Sequence, residues 1–215
     1  MEPVILSYKK LRRAIGYLAI LLAFGCILGG YFFGGYGILP SISDYYFTNM
    51  QDFFSAVLMG VSLFLFSYYG YSILDRIVYV LSGVSCLGIA LFPCYNKAYD
   101  LVGTFQINSK LADSLHTACA TIFFLLLAFN SYFVFTKTDP KGVIQITPEK
   151  KKRNKIYKTC GIVIFSSLIL LGLSMLFLNP LVIKTLRLIM IFEIVSLTAF
   201  GISWLVKGEA IFKDK

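Results

Sequence analysis

Three features of this 215-residue chain could do chemistry in surroundings that are otherwise apolar. The only histidine is His116, Glu193 is a carboxylate inside an apolar run, and Ser43–Asp44 lies in the stretch LPSISDYYFTNMQDFF. An imidazole titrates near neutral pH and can take a proton from a hydroxyl. One catalytic arrangement is therefore His116 as general base, Asp44 or Glu193 orienting it, and Ser43 as nucleophile. The plainer readings are structural. A Ser beside an Asp in a loop is a turn or cap residue, a lone His near a membrane interface makes a hydrogen bond, and a carboxylate in an apolar helix needs a partner on another helix.

Two further polar residues belong to the same set. Asp52 opens an apolar segment, where a carboxylate favours a helix N-terminus with Asn49 as its cap. Ser55, Met59 and Ser62 follow it on one helical face. Asn130 lies 14 residues after His116, about 21 Å deeper along a helix, and is placed in a helix–helix hydrogen bond. The candidate ligand-binding set is Ser43, Asp44, Asp52, His116, Asn130 and Glu193. One His and no paired Cys give no metal motif, and no cofactor motif is present.

Composition determines what must position these residues. The chain is 58% hydrophobic and 14% charged, with mean hydropathy +0.77, against about 25% charged in soluble domains. The expected fold is all-α: a polytopic membrane protein with six transmembrane helices in one bundle and a single domain. A span needs roughly 20 mostly apolar residues, and the six lie at about 13–33, 52–71, 76–92, 114–136, 158–178 and 186–206. The first resembles a signal peptide in its basic start, but its length and lack of a small-residue cleavage site mark a retained helix. The five cysteines form no CxxC pair, and four sit in apolar runs as small hydrophobes.

The net charge of +9 follows from topology. Sixteen Lys and Arg fall on the side of the termini and the 137–158 loop, and four on the other. By the positive-inside bias both termini are cytoplasmic, and the opening stretch faces outward. The run EKKKRNKIYK is first a topology determinant, and Lys150, Lys151, Lys152, Arg153 and Lys155 could also meet anionic lipid headgroups. Nucleic acid is not indicated. Gly25/Gly29 and Gly30/Gly34 are spaced for close helix packing within the bundle, with homodimerisation as the alternative.

In order and topology the chain resembles the Frag/DRAM/Sfk superfamily of six-span membrane proteins. The likeness rests on Pro40, Ile42, Ser43 and Asp44 after the first span, Leu87–Gly88 in the third, and His116 at the start of the fourth. SDYYFT at 43–48 and SWLVKGE at 203–209 resemble a bacterial branch of that superfamily. The resemblance implies lipid-linked roles: lipid-anchor remodelling, control of lipid asymmetry or kinase recruitment, and autophagy-related membrane control. It implies no single reaction, and Glu193 has no counterpart in those motifs. Three functions are then expected of a protein of the plasma membrane. The first is non-enzymatic binding or organisation of membrane lipid through an outward polar pocket. The second is an enzyme acting on lipid or acyl groups, and the third is a small proton-coupled transporter with Glu193 titrating.

Overall fold

The computed structural model describes residues 3–137 and 147–212. Its helices are α1 (Pro3–Gly34), α2 (Gln51–Phe66), α3 (Ile73–Leu91), α4 (Ser109–Phe129), α5 (Pro148–Phe177), α6 (Pro180–Thr185) and α7 (Leu188–Lys207). A 3₁₀ turn at Ser43–Phe47 precedes α2, and a π-helical turn at Asn130–Val134 ends α4. Residues 101–102 and 107–108 form a two-residue antiparallel pair, a small departure from an all-helical chain.

Among the described residues five helices are long and apolar enough to cross a membrane, and the protein is a multi-pass integral membrane protein. The second expected span differs. Helix α2 has 16 residues and stops at Phe66 rather than Tyr71. The chain turns there because Asp75 takes the Tyr71 amide at 3.0 Å and Ser72 caps α3 by accepting the Asp75 amide at 3.3 Å.

Other boundaries move outward, because hydropathy marks the apolar part of a helix while caps mark its ends. Helix α5 begins ten residues before the expected span, with Pro148 in its first turn and Thr147 Oγ1 accepting the Lys150 amide at 3.2 Å. The basic run is therefore helical, and its residues divide between two faces. Residues 150, 153, 157, 160 and 164 share one face at spacings of three and four. Tyr157, Cys160, Ile164 and Arg153 are buried. Lys150 Nζ turns to the carbonyls of Lys137 and Phe135, at 3.2 and 3.3 Å. Lys151, Lys152 and Lys155 remain exposed.

The core gathers at Trp204, fully buried among Tyr68, Tyr79, Phe135 and Phe200, with ring centroids 5.0–6.1 Å away. Helices α1 and α7 meet backbone to backbone. A Cβ on Gly16 would lie 2.9 Å from the Gly201 carbonyl, and one on Gly201 would lie 2.9 Å from the Gly16 carbonyl. At the basic end Lys9 pairs with Glu209 at 2.6 Å, and Arg13 Nε donates to the Gly208 carbonyl at 2.8 Å. The glycines singled out by spacing receive side chains instead: Phe53 at Gly25, Met50 at Gly29, Tyr45 at Gly30 and Asn49 at Gly34. They seat the segment that leads into α2.

Neither partner at the Gly16–Gly201 crossing can yield without moving a helix. Gly201→Val is expected to lower unfolding stability by about 1–3 kcal/mol, measured by denaturant titration in detergent. Gly37→Ala, where a Cβ meets nothing within 4 Å, should leave it unchanged.

Candidate functional site

Helix α7 carries Glu193 in its second turn, and an apolar helix cannot leave a carboxylate without partners at low cost. The partner is the 40–44 segment. Ile42 N–H donates to Glu193 Oε2 at 2.6 Å, and Ser43 Oγ lies 3.3 Å from Oε1. In return the Pro40 carbonyl accepts the Met190 amide at 3.0 Å, one of the first-turn donors that a helix leaves unsatisfied. These bonds lay the loop across the start of α7.

Within that loop, Ser41 and Asp44 form a reciprocal box. Ser41 N–H donates to Asp44 Oδ2 and Asp44 N–H donates to Ser41 Oγ, both at 3.0 Å. This is the capping-box arrangement applied to the turn that starts at Ser43. It presents Ser43 Oγ to His116 Nε2 at 2.9 Å. The other ring nitrogen, Nδ1, is 2.7 Å from the Phe92 carbonyl. A carbonyl only accepts, so Nδ1 carries the hydrogen and Nε2 of the neutral ring accepts from Ser43.

The orienting group is thus a backbone carbonyl, where a carboxylate was expected. Phe92 precedes Pro93 and is held extended (φ −110°, ψ 103°), which ends α3 and leaves its carbonyl to face α4. The pattern FPC at 92–94 carries that signal, though nothing in it points to His116.

The result is a chain running from the Phe92 carbonyl through His116 and Ser43 to Glu193. Ser43 has one hydroxyl hydrogen and two close neighbours. Both contacts are satisfied together when one further proton sits at either end, on Glu193 Oε1 or His116 Nε2. Ser43 is then a relay across which that proton can shift.

Ser43, Asp44, His116 and Glu193 line one cavity of about 490 Å³. Asp44 makes no hydrogen bond to His116 or Glu193 among the described residues. Beyond Ser41 it meets Cys94, whose Sγ donates to Oδ1 at 3.8 Å. Asp113 also lines the cavity and holds the 92–108 loop by accepting the Tyr95 amide at 2.9 Å. Spacing alone did not single out Cys94 or Tyr95, because both lie on a loop whose path only the fold sets.

Two expected members lie elsewhere. Asp52 is exposed in the first turn of α2, outside the cavity, and the cap position is Met50 with no side-chain cap bond. Its expected polar face also divides: Met59 is exposed, whereas Ser62 is buried and donates to the Gly83 carbonyl at 2.8 Å. Asn130 sits at the π turn near the other end of α4. Its buried amide has no hydrogen-bond partner among the described residues, where a helix–helix bond was expected.

Away from its polar end the cavity follows α4 and α5 along Phe124, Leu125, Phe165 and Ile169. Leu125, Phe165 and Ile169 are each between 42% and 49% exposed, so the cavity opens sideways on the apolar surface of the bundle. The two helices are wedged apart. Near Gly161 they touch, and a Cβ there would lie 2.9 Å from the Ala128 carbonyl. At Gly172, eleven residues on, a Cβ would meet nothing within 4 Å. Among the described residues no lining residue comes from the basic end.

Compared with protein-family profiles, with curated proteins and with solved structures, the chain matches none.

Burial pushes the Cys94 thiol well above its ordinary range, and Asp44, Glu193 and Asp113 add to the shift. Less thiolate is then present at any given pH, so alkylation of Cys94 at pH 8 is expected to be slow. Asp44→Asn should speed it, measured by mass spectrometry of the labelled protein. For the relay, Ser43→Ala leaves Nε2 and Oε1 without their shared partner and is expected to cost about 1–3 kcal/mol of stability, read by unfolding in detergent.

Proposed function

We propose that the protein binds membrane lipid through the cavity between α4 and α5, as a non-enzymatic lipid-binding or lipid-organising protein of the plasma membrane. In this reading all six helices that traverse the bundle are spans, both termini are cytoplasmic, and the cavity opens toward the outer leaflet. The excess of basic residues around the termini supports the orientation. The short α2 is preceded at its outer end by the 3₁₀ turn at Ser43–Phe47. The likeness of Pro40–Asp44 and His116 to a lipid-linked superfamily points the same way.

One observation carries the reading. The cavity is polar at one end, apolar along two helices and open sideways, a shape that suits a headgroup joined to an acyl chain. Its carboxyl groups and imidazole gather at one end, which weighs against transport, since a carried solute needs polar access from both sides.

The 2.9 Å contact between Ser43 and His116 favours a second reading, acyl transfer with Ser43 as nucleophile and His116 as base. That chemistry needs donors aimed at a developing oxyanion. The amides of Ser41, Ile42, Asp44 and Tyr45 already have acceptors, and the nearest side chain beyond His116 is a carboxyl group. Binding is therefore the stronger reading.

The test uses the space at Gly172. The full-length protein in detergent, given a phospholipid with a photoactivatable acyl chain, should crosslink at α4 and α5. Gly172→Trp fills the cavity and should cut that crosslinking at least about tenfold, while unfolding stability is kept because Gly is a poor helix former. Unchanged crosslinking would remove the proposal. A fluorophosphonate probe should leave Ser43 unlabelled. Labelling that disappears in His116→Ala would move the assignment to acyl transfer.

A further inference from the structure

We infer that the lipid taken by this cavity carries an ammonium group in its headgroup. The inference rests on the lipid-binding reading above and narrows the class of ligand.

The polar end of the cavity holds three carboxyl groups, Asp44, Asp113 and Glu193, and among the described residues no Lys or Arg lines it. A phosphate or carboxylate entering this end would meet the Asp44 and Asp113 carboxylates with no Lys or Arg beside them among the described lining residues, in a cleft whose apolar walls strengthen the repulsion. An ammonium donates hydrogen bonds and carries the complementary charge.

The lining carboxyl groups also have capacity to accept. Asp44 Oδ1 has only the weak Cys94 thiol donor at 3.8 Å. Asp113 takes the Tyr95 amide through Oδ1, which leaves Oδ2 for a ligand. The serines beside them are committed to internal bonds. Ser41 Oγ accepts from Asp44, and Ser43 Oγ sits between His116 and Glu193.

The apolar arm extends the site along the membrane. Leu125 and Phe165, which line the cavity, also line a second groove of about 410 Å³ that continues past Phe129 to Tyr132. From His116 to Tyr132 along α4 is about 24 Å at the standard rise, enough for an acyl chain to follow while the headgroup stays at the carboxyl end. The ammonium would reach inward to Asp44 and Asp113, and the phosphate of a zwitterionic lipid would remain at the mouth.

The experiment gives the full-length protein, in an uncharged maltoside detergent, two probes with the same photoactivatable acyl chain. One is a phosphatidylethanolamine and the other a phosphatidylglycerol. The ethanolamine probe is expected to crosslink to α4 and α5 at least about tenfold more than the glycerol probe, the scale of a charge-assisted hydrogen bond. Asp113→Asn should reduce that ratio severalfold without abolishing folding, since an amide oxygen still accepts the Tyr95 amide. Asp52→Asn, outside the cavity, should leave it unchanged.

Equal crosslinking of both probes, or preference for the glycerol probe, would overturn the headgroup inference and leave lipid binding standing. Crosslinking of neither probe at α4 and α5 would overturn both.

Discussion

The arrangement at the site end depends on one requirement, that the Glu193 carboxyl group find partners inside an apolar bundle. The loop after α1 offers the amide, and Ile42 supplies it at 2.6 Å. The Met190–Pro40 bond closes the same contact from the other side. With both in place the loop lies in the bundle and buries Tyr45 and Tyr46. The glycines near the end of α1 leave room for these inward side chains: Gly30 faces Tyr45, and Gly29 faces Met50. Ser43 then has little freedom, and its hydroxyl reaches His116 because the loop is held from α7. The relay is a by-product of satisfying a buried acid.

The bundle is uneven in how tightly it is built. Helices α1 and α7 approach until glycine backbones touch, and an ion pair and carbonyl bonds tie them at the basic end. Helices α4 and α5 meet closely near Gly161 and part toward Gly172. In a membrane, lipid chains offer helices no hydrophobic drive to close such a gap. An opening between two apolar helices can therefore persist where an aqueous protein would collapse it. That wedge carries the apolar arm of the cavity to the polar end, so tight packing on one side of the bundle and looseness on the other serve the same site.

Charge plays a different part at each end. At the basic end cations turn inward over aromatic rings, as Lys207 does above Phe135 and Arg12 above Tyr68, at 5.3 and 5.4 Å. Such contacts let a cation stay near the core by facing the negative face of a ring. Asp75 is buried there and paired with Lys137. The exposed Lys151, Lys152 and Lys155 keep the outer face of α5 positive. At the site end the cavity wall has carboxyl groups and, among the described residues, no Lys or Arg. The cavity wall and the outer face of α5 therefore differ in charge.

Much of this was legible in the residues. Hydropathy alone established a multi-pass membrane protein and placed most helices, because burying apolar side chains in lipid is a local property of each segment. Where it erred, at the ends of α2 and α5, the boundary belonged to caps and turns whose partners are polar. Residue type marked His116, Glu193, Ser43 and Asp44 as exceptional, since polar groups in apolar runs are costly wherever they fall. It could not separate them from Asp52 and Asn130, which carry the same signal and lie elsewhere. Only the tertiary structure decided that Ser43 stands between His116 and Glu193, that a Phe92 carbonyl orients the imidazole, and that α4 and α5 part at Gly172. Those outcomes are contacts between segments 24 to 150 residues apart. Contacts at that range are set by how whole helices cross, which no local pattern of residues contains.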